Sequence, residues 1–355
     1  MNAKNAKNAK NAKNAKNVMN SMNDSNPAHP VDPSTSLTSP TSPNASKASN
    51  SRDPLGPRCR PERPEPVDPP DPPDPPDPPD PPKSAEARHP VRLTGAKETL
   101  LATLYGRALD SRAPRPILGD TMAVDAVRRL DYDFGKLRVG PGAAAAVALR
   151  ARQLDIWTAR FLATHPEATV VHLGCGLDTR VHRLAPGPGV RWFDVDFPEV
   201  IDLRRQLFTE PPGYTAIPSS VTDPAWVARV PADRPTMIVA EGLLMYLTER
   251  DGTALLRRLM AHAPGGGLAF DFFSRFAVRA ARLNTVIVRT GSTLHWGGGP
   301  ADIARLHPGL EIVESFSALE IPDIGRLPAR YRTPVRAAAL IPGVREMSRL
   351  YNCRF

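Results

Sequence analysis

The sequence predicts an α/β protein: a doubly wound, mostly parallel, seven-stranded Rossmann-like sheet. Three observations carry this. From residue 169 onward, short apolar runs alternate with helical patterns, as βαβ units do. The first run, Val170-Val171-His172-Leu173, leads into Gly174-Cys175-Gly176, where glycines let a ligand approach the backbone N–H groups. A second run, Val190 to Asp196, ends in acids about twenty residues on, where such a sheet holds the hydroxyls of a ribose.

Upstream of the sheet, residues 95–110 read as an amphipathic helix, 121–130 as a short second and 143–164 as a long third. The third stops before His165-Pro166. Preceding the first strand, these helices are expected to cap its ligand end. Strand 169–173 is followed by a helix starting near Asp178, and strand 190–195 by Pro198 in the first turn of a helix running to about residue 209. Residues 214–217 form the third strand, with a short helix from Pro224. Residues 236–240 form the fourth, followed by Glu241-Gly242 and a helix from Thr248 to His262. Gly265-Gly266-Gly267 turns into the fifth, Leu268 to Phe272. Residues 311–316 are a sixth strand, and Arg349 to Phe355 an antiparallel closing strand.

Residues 1–92 differ in kind. Asn-Ala-Lys repeats five times over residues 2–16, and Asp-Pro-Pro five times over 68–82. About half of the chain's 41 prolines lie in this stretch. Few apolar groups and few backbone donors leave nothing to build a core, so a disordered, polyproline II-like tail is expected. It is a spacer or partner-binding segment, or else a dispensable extension, with Met19 and Met22 as alternative starts. No apolar stretch follows the repeat, as a signal peptide would require. The folded part is then 93–355, divided into a helical cap, 93–168, and the Rossmann-like core, 169–355.

Composition narrows the partners. The net charge is +9, but the arginines are scattered and no basic ribbon is interleaved with aromatics. A nucleic-acid partner is therefore not expected. No run reaches the roughly 18 apolar residues of a membrane span. Cys59, Cys175 and Cys353 give neither metal-ligand spacing nor a disulfide framework, so a reducing cytoplasm and no metal are expected.

Three ligand classes compete for the glycine loop. A dinucleotide fingerprint wants a third glycine at position 179, which is Thr. No phosphate-binding Gly-x-x-x-x-Gly-Lys-Ser/Thr exists in the chain. S-adenosylmethionine has no pyrophosphate. It needs acids for its ribose, a cation for its carboxylate, and acceptors for its adenine and amino group. Gly174-x-Gly176 followed by Asp178 suits it better.

The wider wording agrees. Leu173-Gly174-Cys175-Gly176-Leu177-Asp178-Thr179-Arg180, Phe193-Asp194-Val195-Asp196-Phe197-Pro198-Glu199-Val200 and Ala240-Glu241-Gly242-Leu243-Leu244-Met245-Tyr246-Leu247 follow one another in order. Together they resemble the leucine carboxyl methyltransferase family of class I S-adenosylmethionine-dependent enzymes. Leu294-His295-Trp296-Gly297 and the ending Leu350 to Phe355 are most similar to its bacterial branch of tetracenomycin-type polyketide O-methyltransferases. The likeness covers about residues 95–355 and none of the tail.

The resemblance implies site residues. Arg152 would pair with the cofactor carboxylate, with Arg150 and Arg160 as competitors on the same helix. Gly174 and Gly176 would lie beside the methionine part. Asp196 would take the ribose hydroxyls, with Asp194 as the alternative. Glu241 would contact the ammonium or sulfonium side. Asp178 either contacts the cofactor or caps its helix. Where the family often has Asp-Leu at the adenine, this chain has Ser220-Val221, with Asp223 three residues beyond Ser220.

The reaction implied is methyl transfer from the sulfonium to a hydroxyl or carboxyl of a small, polyketide-like molecule. A phenol acceptor benefits from a base, and Asp271 and His295 are the candidates. Trp296 is either an aromatic platform or a core residue. A groove lined by Phe272, Phe273, Phe276 and Trp296 would favour a small aromatic acceptor. The alternatives are a protein C-terminal carboxyl methyltransferase or regulatory binder that recruits its partner through the proline-rich tail, and a degenerate cofactor binder.

Overall fold

The computed structural model describes residues 88–91, 93, 95–281 and 292–355. The expected tail lies outside the described residues except for 88–91, where His89–Pro90 pairs with Leu130–Asp131 in a two-residue parallel ladder.

Three helices precede the sheet: α1 (Thr99–Ser111), α2 (Thr121–Arg129) and α3 (Pro141–Thr164). Asp120 caps α2 by accepting from the Ala123 amide, and Pro141 opens α3 where no backbone donor is needed. The sheet comprises β1 (Thr169–Leu173), β2 (Arg191–Asp196), β3 (Tyr214–Pro218), β4 (Thr236–Ala240), β5 (Gly266–Phe273), β6 (Glu311–Ser317) and β7 (Ser348–Arg354). Its order is β3-β2-β1-β4-β5-β7-β6. Only β7 runs antiparallel, between β5 and β6. The predicted seven-stranded, mostly parallel sheet is the one observed. Strand order reverses between β1 and β4, and such a switch point opens a crevice at the carboxyl ends of the strands.

The central strands are buried on both faces, which is why they read as continuous apolar runs. One face places Val171, Ile238, Leu268 and Phe270 against Leu255 and Leu259 of α6 (Glu249–His262). The other places Val170, Val239 and Ala269 against Ala148, Leu149 and Trp157 of α3. A third cluster joins Leu101 and Leu104 of α1 to Leu177 of the glycine loop and to Val200 and Leu203 of α5 (Pro198–Leu207). The upstream helices are thereby fixed over the loop. Among the described residues no helix is long and apolar enough to cross a membrane.

Two elements depart from expectation. The helix after the glycine loop, α4, spans only Arg180–Leu184, because Ala185 turns left-handed (φ 41°) and Pro186 cannot continue it. A helix at Ala329–Ala339 escaped the sequence reading because Pro334 lies inside it. Pro334 is exposed, whereas Tyr331, Val335 and Ala338 keep helical spacing on the buried side.

Trp296 belongs to the core. It packs edge-on against Phe272, with centroids 4.9 Å apart, and lies over Gly252 of α6, where a Cβ would meet the indole at 2.2 Å. Gly252→Ala, usually favourable in a helix, is therefore expected to destabilise the protein by about 1–3 kcal/mol through overpacking, read from its urea midpoint.

Candidate active site

A cleft of about 690 Å³ opens at the switch point, within the size range of small-molecule sites. Its lining includes Gly174, Cys175, Gly176 and Asp178 after β1, Asp196 and Phe197 after β2, Ser220, Val221 and Thr222 after β3, and Glu241 and Gly242 after β4. The upstream helices close it with Leu100, Thr103, Arg107, Val147 and Arg150.

Gly174 and Gly176 stand at φ +58° and +50°, conformations that disfavour side chains. A Cβ on Gly174 would also meet the Leu243 side chain at 2.9 Å, so the bare backbone is what keeps the wall open. The Gly176 amide donates to Asp196 Oδ2 at 2.7 Å, and the Phe197 amide to Oδ1 at 2.8 Å. These bonds fix the Asp196 carboxylate at the rim of β2. Burial raises its pKa, against the pull of the two amides.

Asp194, one pleat back, is absorbed below the loop. It accepts from Trp192 Nε1 (2.8 Å) and Tyr214 Oη (2.9 Å), and it pairs with Arg204 and His172. Of the two acids on this strand, only Asp196 lines the cleft.

Glu241 is held from two sides. Arg150 Nε donates to Oε1 at 3.0 Å and Arg180 Nη2 to Oε2 at 2.6 Å. Burial works to raise its pKa, but the two guanidiniums outweigh it and keep it a carboxylate. Asp178 does not cap its helix. Its oxygens pair with Arg180 Nη1 (2.8 Å) and Arg183 Nη1 (2.7 Å), and these cations outweigh burial to hold its pKa well below the ordinary range.

The structure brings Arg150, not Arg152, to the cleft. Arg152 turns away from the cleft, pairs with Asp323 and lines a separate depression with Asp155, His182 and Arg183. Arg150, two residues earlier, projects into the cleft. Two helical residues are about 200° apart, so only one of them can face the sheet's carboxyl edge. Arg160 is exposed and bonds Glu314 at 3.0 Å.

Neither candidate base lines the cleft. Asp271 is fully buried, accepts from the Gly242 amide and lies 3.3 Å from Arg150 Nη1. Burial raises its pKa, with Arg150 opposing. It braces the Glu241-Gly242 turn from behind. His295 is exposed, on a segment tied back by its amide to the Met245 carbonyl at 2.8 Å. Of the four expected groove aromatics only Phe273 reaches the cleft. Phe272 points to the opposite side of β5, into the core with Trp296.

At the far end, Ser220 Oγ bonds Thr222 Oγ1 at 2.9 Å, beside Val221. Asp223 is used locally, accepting from the Ala225 amide at 2.9 Å. The sequence reading missed Arg107, buried on α1, which donates to the Leu177 carbonyl at 2.9 Å and pairs with Asp120. It also missed Tyr246, whose pKa is raised chiefly by burial. An arginine among the leucines of an amphipathic helix was the available signal for Arg107. Among the described residues no group of three or more His, Cys, Asp or Glu side chains could hold a metal ion.

The donor set suits a nucleoside carrying a zwitterionic tail. One carboxylate, Asp196, stands at the end of β2, and the Glu241 carboxylate and the Arg150 guanidinium face each other after β4. An apolar shelf by Val221 and Phe197 fits a purine ring. The open glycine loop, which a Cβ would obstruct, lies between them. With the sheet order, this defines the class: an S-adenosylmethionine-dependent methyltransferase. The family model described as leucine carboxyl methyltransferase matches residues 100–260. The chain is 47% identical over 233 residues to the tetracenomycin polyketide synthesis O-methyltransferase of Streptomyces glaucescens, covering 65% of this chain and 86% of that one. It is 40% identical over 260 residues to an S-adenosyl-L-methionine-dependent methyltransferase of Gibberella zeae, covering 67% and 86%. The chain belongs to the leucine carboxyl methyltransferase family, and it is an S-adenosylmethionine-dependent O-methyltransferase.

Titration calorimetry of two variants with S-adenosylmethionine checks the choice of arginine. Arg150→Ala is expected to weaken binding at least tenfold, as loss of a charge-assisted hydrogen bond of about 1.5–3 kcal/mol implies. Arg152→Ala is expected to change it less than about twofold, since its half-exposed pair with Asp323 lies outside the cleft.

Proposed function

We propose that the enzyme methylates a carboxyl oxygen of a small, apolar, polyketide-like acceptor. The observation that carries this is the other half of the cleft. Beyond the charged end, its lining is apolar and small-residued, with Val139, Met245, Phe273, Ala277, Leu294 and Val344 among it. A flat hydrocarbon body gains about 25 cal/mol for each Å² it buries there. The name of the Streptomyces glaucescens relative, which refers to polyketide synthesis, points the same way.

The residues divide the work as follows. Asp196 takes the ribose hydroxyls, and Ser220 and Val221 flank the adenine. Arg150 takes the cofactor carboxylate and Glu241 its ammonium, with Gly174 and Gly176 beside the thioether. When bound, S-adenosylmethionine supplies a methyl group on a sulfonium. The protein aligns the acceptor oxygen with that methyl and excludes water.

A carboxyl acceptor is favoured over a hydroxyl because the described groups that could take a proton are committed. His172 is buried, with Nδ1 on Asp194 at 3.2 Å and Nε2 against Arg180. Burial keeps the Tyr246 hydroxyl protonated. A carboxylate enters already ionised and needs no base. The scattered free thiols suit a reducing cytoplasm.

The test incubates the enzyme with methyl-labelled cofactor and panels of apolar aromatic acids and phenols. Mild alkali is expected to release the label as methanol, since esters hydrolyse and ethers do not. An alkali-stable product would move the assignment to a hydroxyl. Removing residues 1–87 is expected to leave kcat/KM on a small acceptor within about twofold, since the described residues that line the cleft run from Lys97 to Ser348. A large loss, confined to peptide acceptors, would instead support a protein substrate.

A further inference from the structure

Arg180 is fully buried and does not line the cleft, yet it touches two residues that do. Its guanidinium meets three carboxylates from three different parts of the chain. Nε donates to Asp155 Oδ1 of α3 at 2.6 Å. Nη1 lies 2.8 Å from Asp178 Oδ2, just past the glycine loop. Nη2 donates to Glu241 Oε2, after β4, at 2.6 Å. Behind it, Arg183 Nε holds the other oxygen of Asp155 at 2.9 Å. The long helix, the glycine loop and the end of β4 therefore converge on one cation.

We propose that Arg180 is a positioning residue for methyl transfer, setting the orientation of Glu241 and Asp178 toward the amino-acid end of the cofactor. This rests on the assignment of Glu241 to the cofactor ammonium. A carboxylate has about four acceptor directions. Arg150 and Arg180 each take one on Glu241, so those left for a ligand are fixed by where the two arginines stand. Asp178 and Glu241 would repel each other across the cleft wall without the guanidinium between them. An ammonium carries the charge, but its three donors sit on a single nitrogen, so lysine cannot span three carboxylates that Arg180 reaches from three separate nitrogens. A displacement of about 1 Å at such a group is enough to cost on the order of 10²-fold in rate.

The experiment compares two ligands on the full-length enzyme. S-adenosylmethionine uses the whole site, whereas 5′-methylthioadenosine lacks the amino-acid end. In Arg180→Lys the dissociation constant of S-adenosylmethionine is expected to rise more than about tenfold and that of methylthioadenosine less than about twofold, with kcat falling as well. A parallel loss of both ligands would mean that Arg180 only holds the loop together, and no loss would mean that it positions nothing. Either overturns the proposal. If Arg180→Lys does not fold, Asp155→Asn decides. Its side chain is away from the cleft, and the change loosens the rear of Arg180 together with the Arg183 contact while leaving the Asp178 and Glu241 carboxylates in place, so the same selective loss is expected at about threefold. Parallel loss or none overturns the proposal there too. Glu241→Gln separates the premise. If it leaves S-adenosylmethionine binding unchanged, the ammonium assignment fails. If it weakens binding and the Arg180 and Asp155 variants do not, only the positioning role fails.

Discussion

A buried ion lattice is the constraint on which the site depends. Arg107, Arg150, Arg180 and Arg183 interleave with Asp120, Asp155, Asp178, Glu241 and Asp271. Burying so many charges is unfavourable by itself, and removing one partner of a buried pair typically costs about 3–5 kcal/mol because the other is stranded. The lattice tolerates this because Arg150, Arg180 and Arg183 each meet two or three carboxylates, and Arg107 meets Asp120 and the Leu177 carbonyl. Its outcome is geometric. Two cleft carboxylates, Asp178 and Glu241, and two cleft guanidiniums, Arg107 and Arg150, are held at fixed places by their partners.

The sheet and the lattice cooperate. Parallel pairing of β1 with β2 and β4 brings the glycine loop, Asp196 and Glu241 to one edge. The register sets His172 beside Asp194, so a second polar layer forms under the loop with Arg204, whose Nη1 donates to the Gly176 and Asp178 carbonyls. The loop is thus held by backbone pairing on one side and by arginines on two others. The apolar part of the cleft has the opposite character. It is apolar side chains on helices and on the end of β5, and it can vary in shape without disturbing the charged end.

Much of the fold was legible because it is written locally. Alternating apolar runs, Pro198 at a helix start and Pro-rich breaks are signals within a few residues. The placement of Gly174, Gly176, Asp196 and Glu241 at one edge was legible too, because loops after parallel strands fall there whatever the side-chain details. The catalytic candidates were not legible in the same way. Asp271 is one pleat from Phe272 and Phe273, and nothing in that run says that its carboxylate meets Gly242 and Arg150 instead of the acceptor. Trp296 follows an exposed histidine, and only the packing of α6 shows that its indole is core.

By itself the sequence determined the class of fold, the glycine loop and the order of the acids around it, since these follow from periodicity and backbone chemistry along the chain. Only the tertiary structure decided which of Arg150 and Arg152 faces the cleft. Helix α3 has buried residues on nearly all sides, Ala148, Leu149, Ala151, Leu154 and Trp157 among them, so its hydrophobic pattern names no cleft face. The rotation of that helix is fixed by packing against the sheet and by the carboxylates waiting there. Glu241 and Asp271 capture Arg150, and Asp323 captures Arg152 on the far side. Partners 91 and 121 residues away from Arg150 made that choice, and no local pattern could carry it.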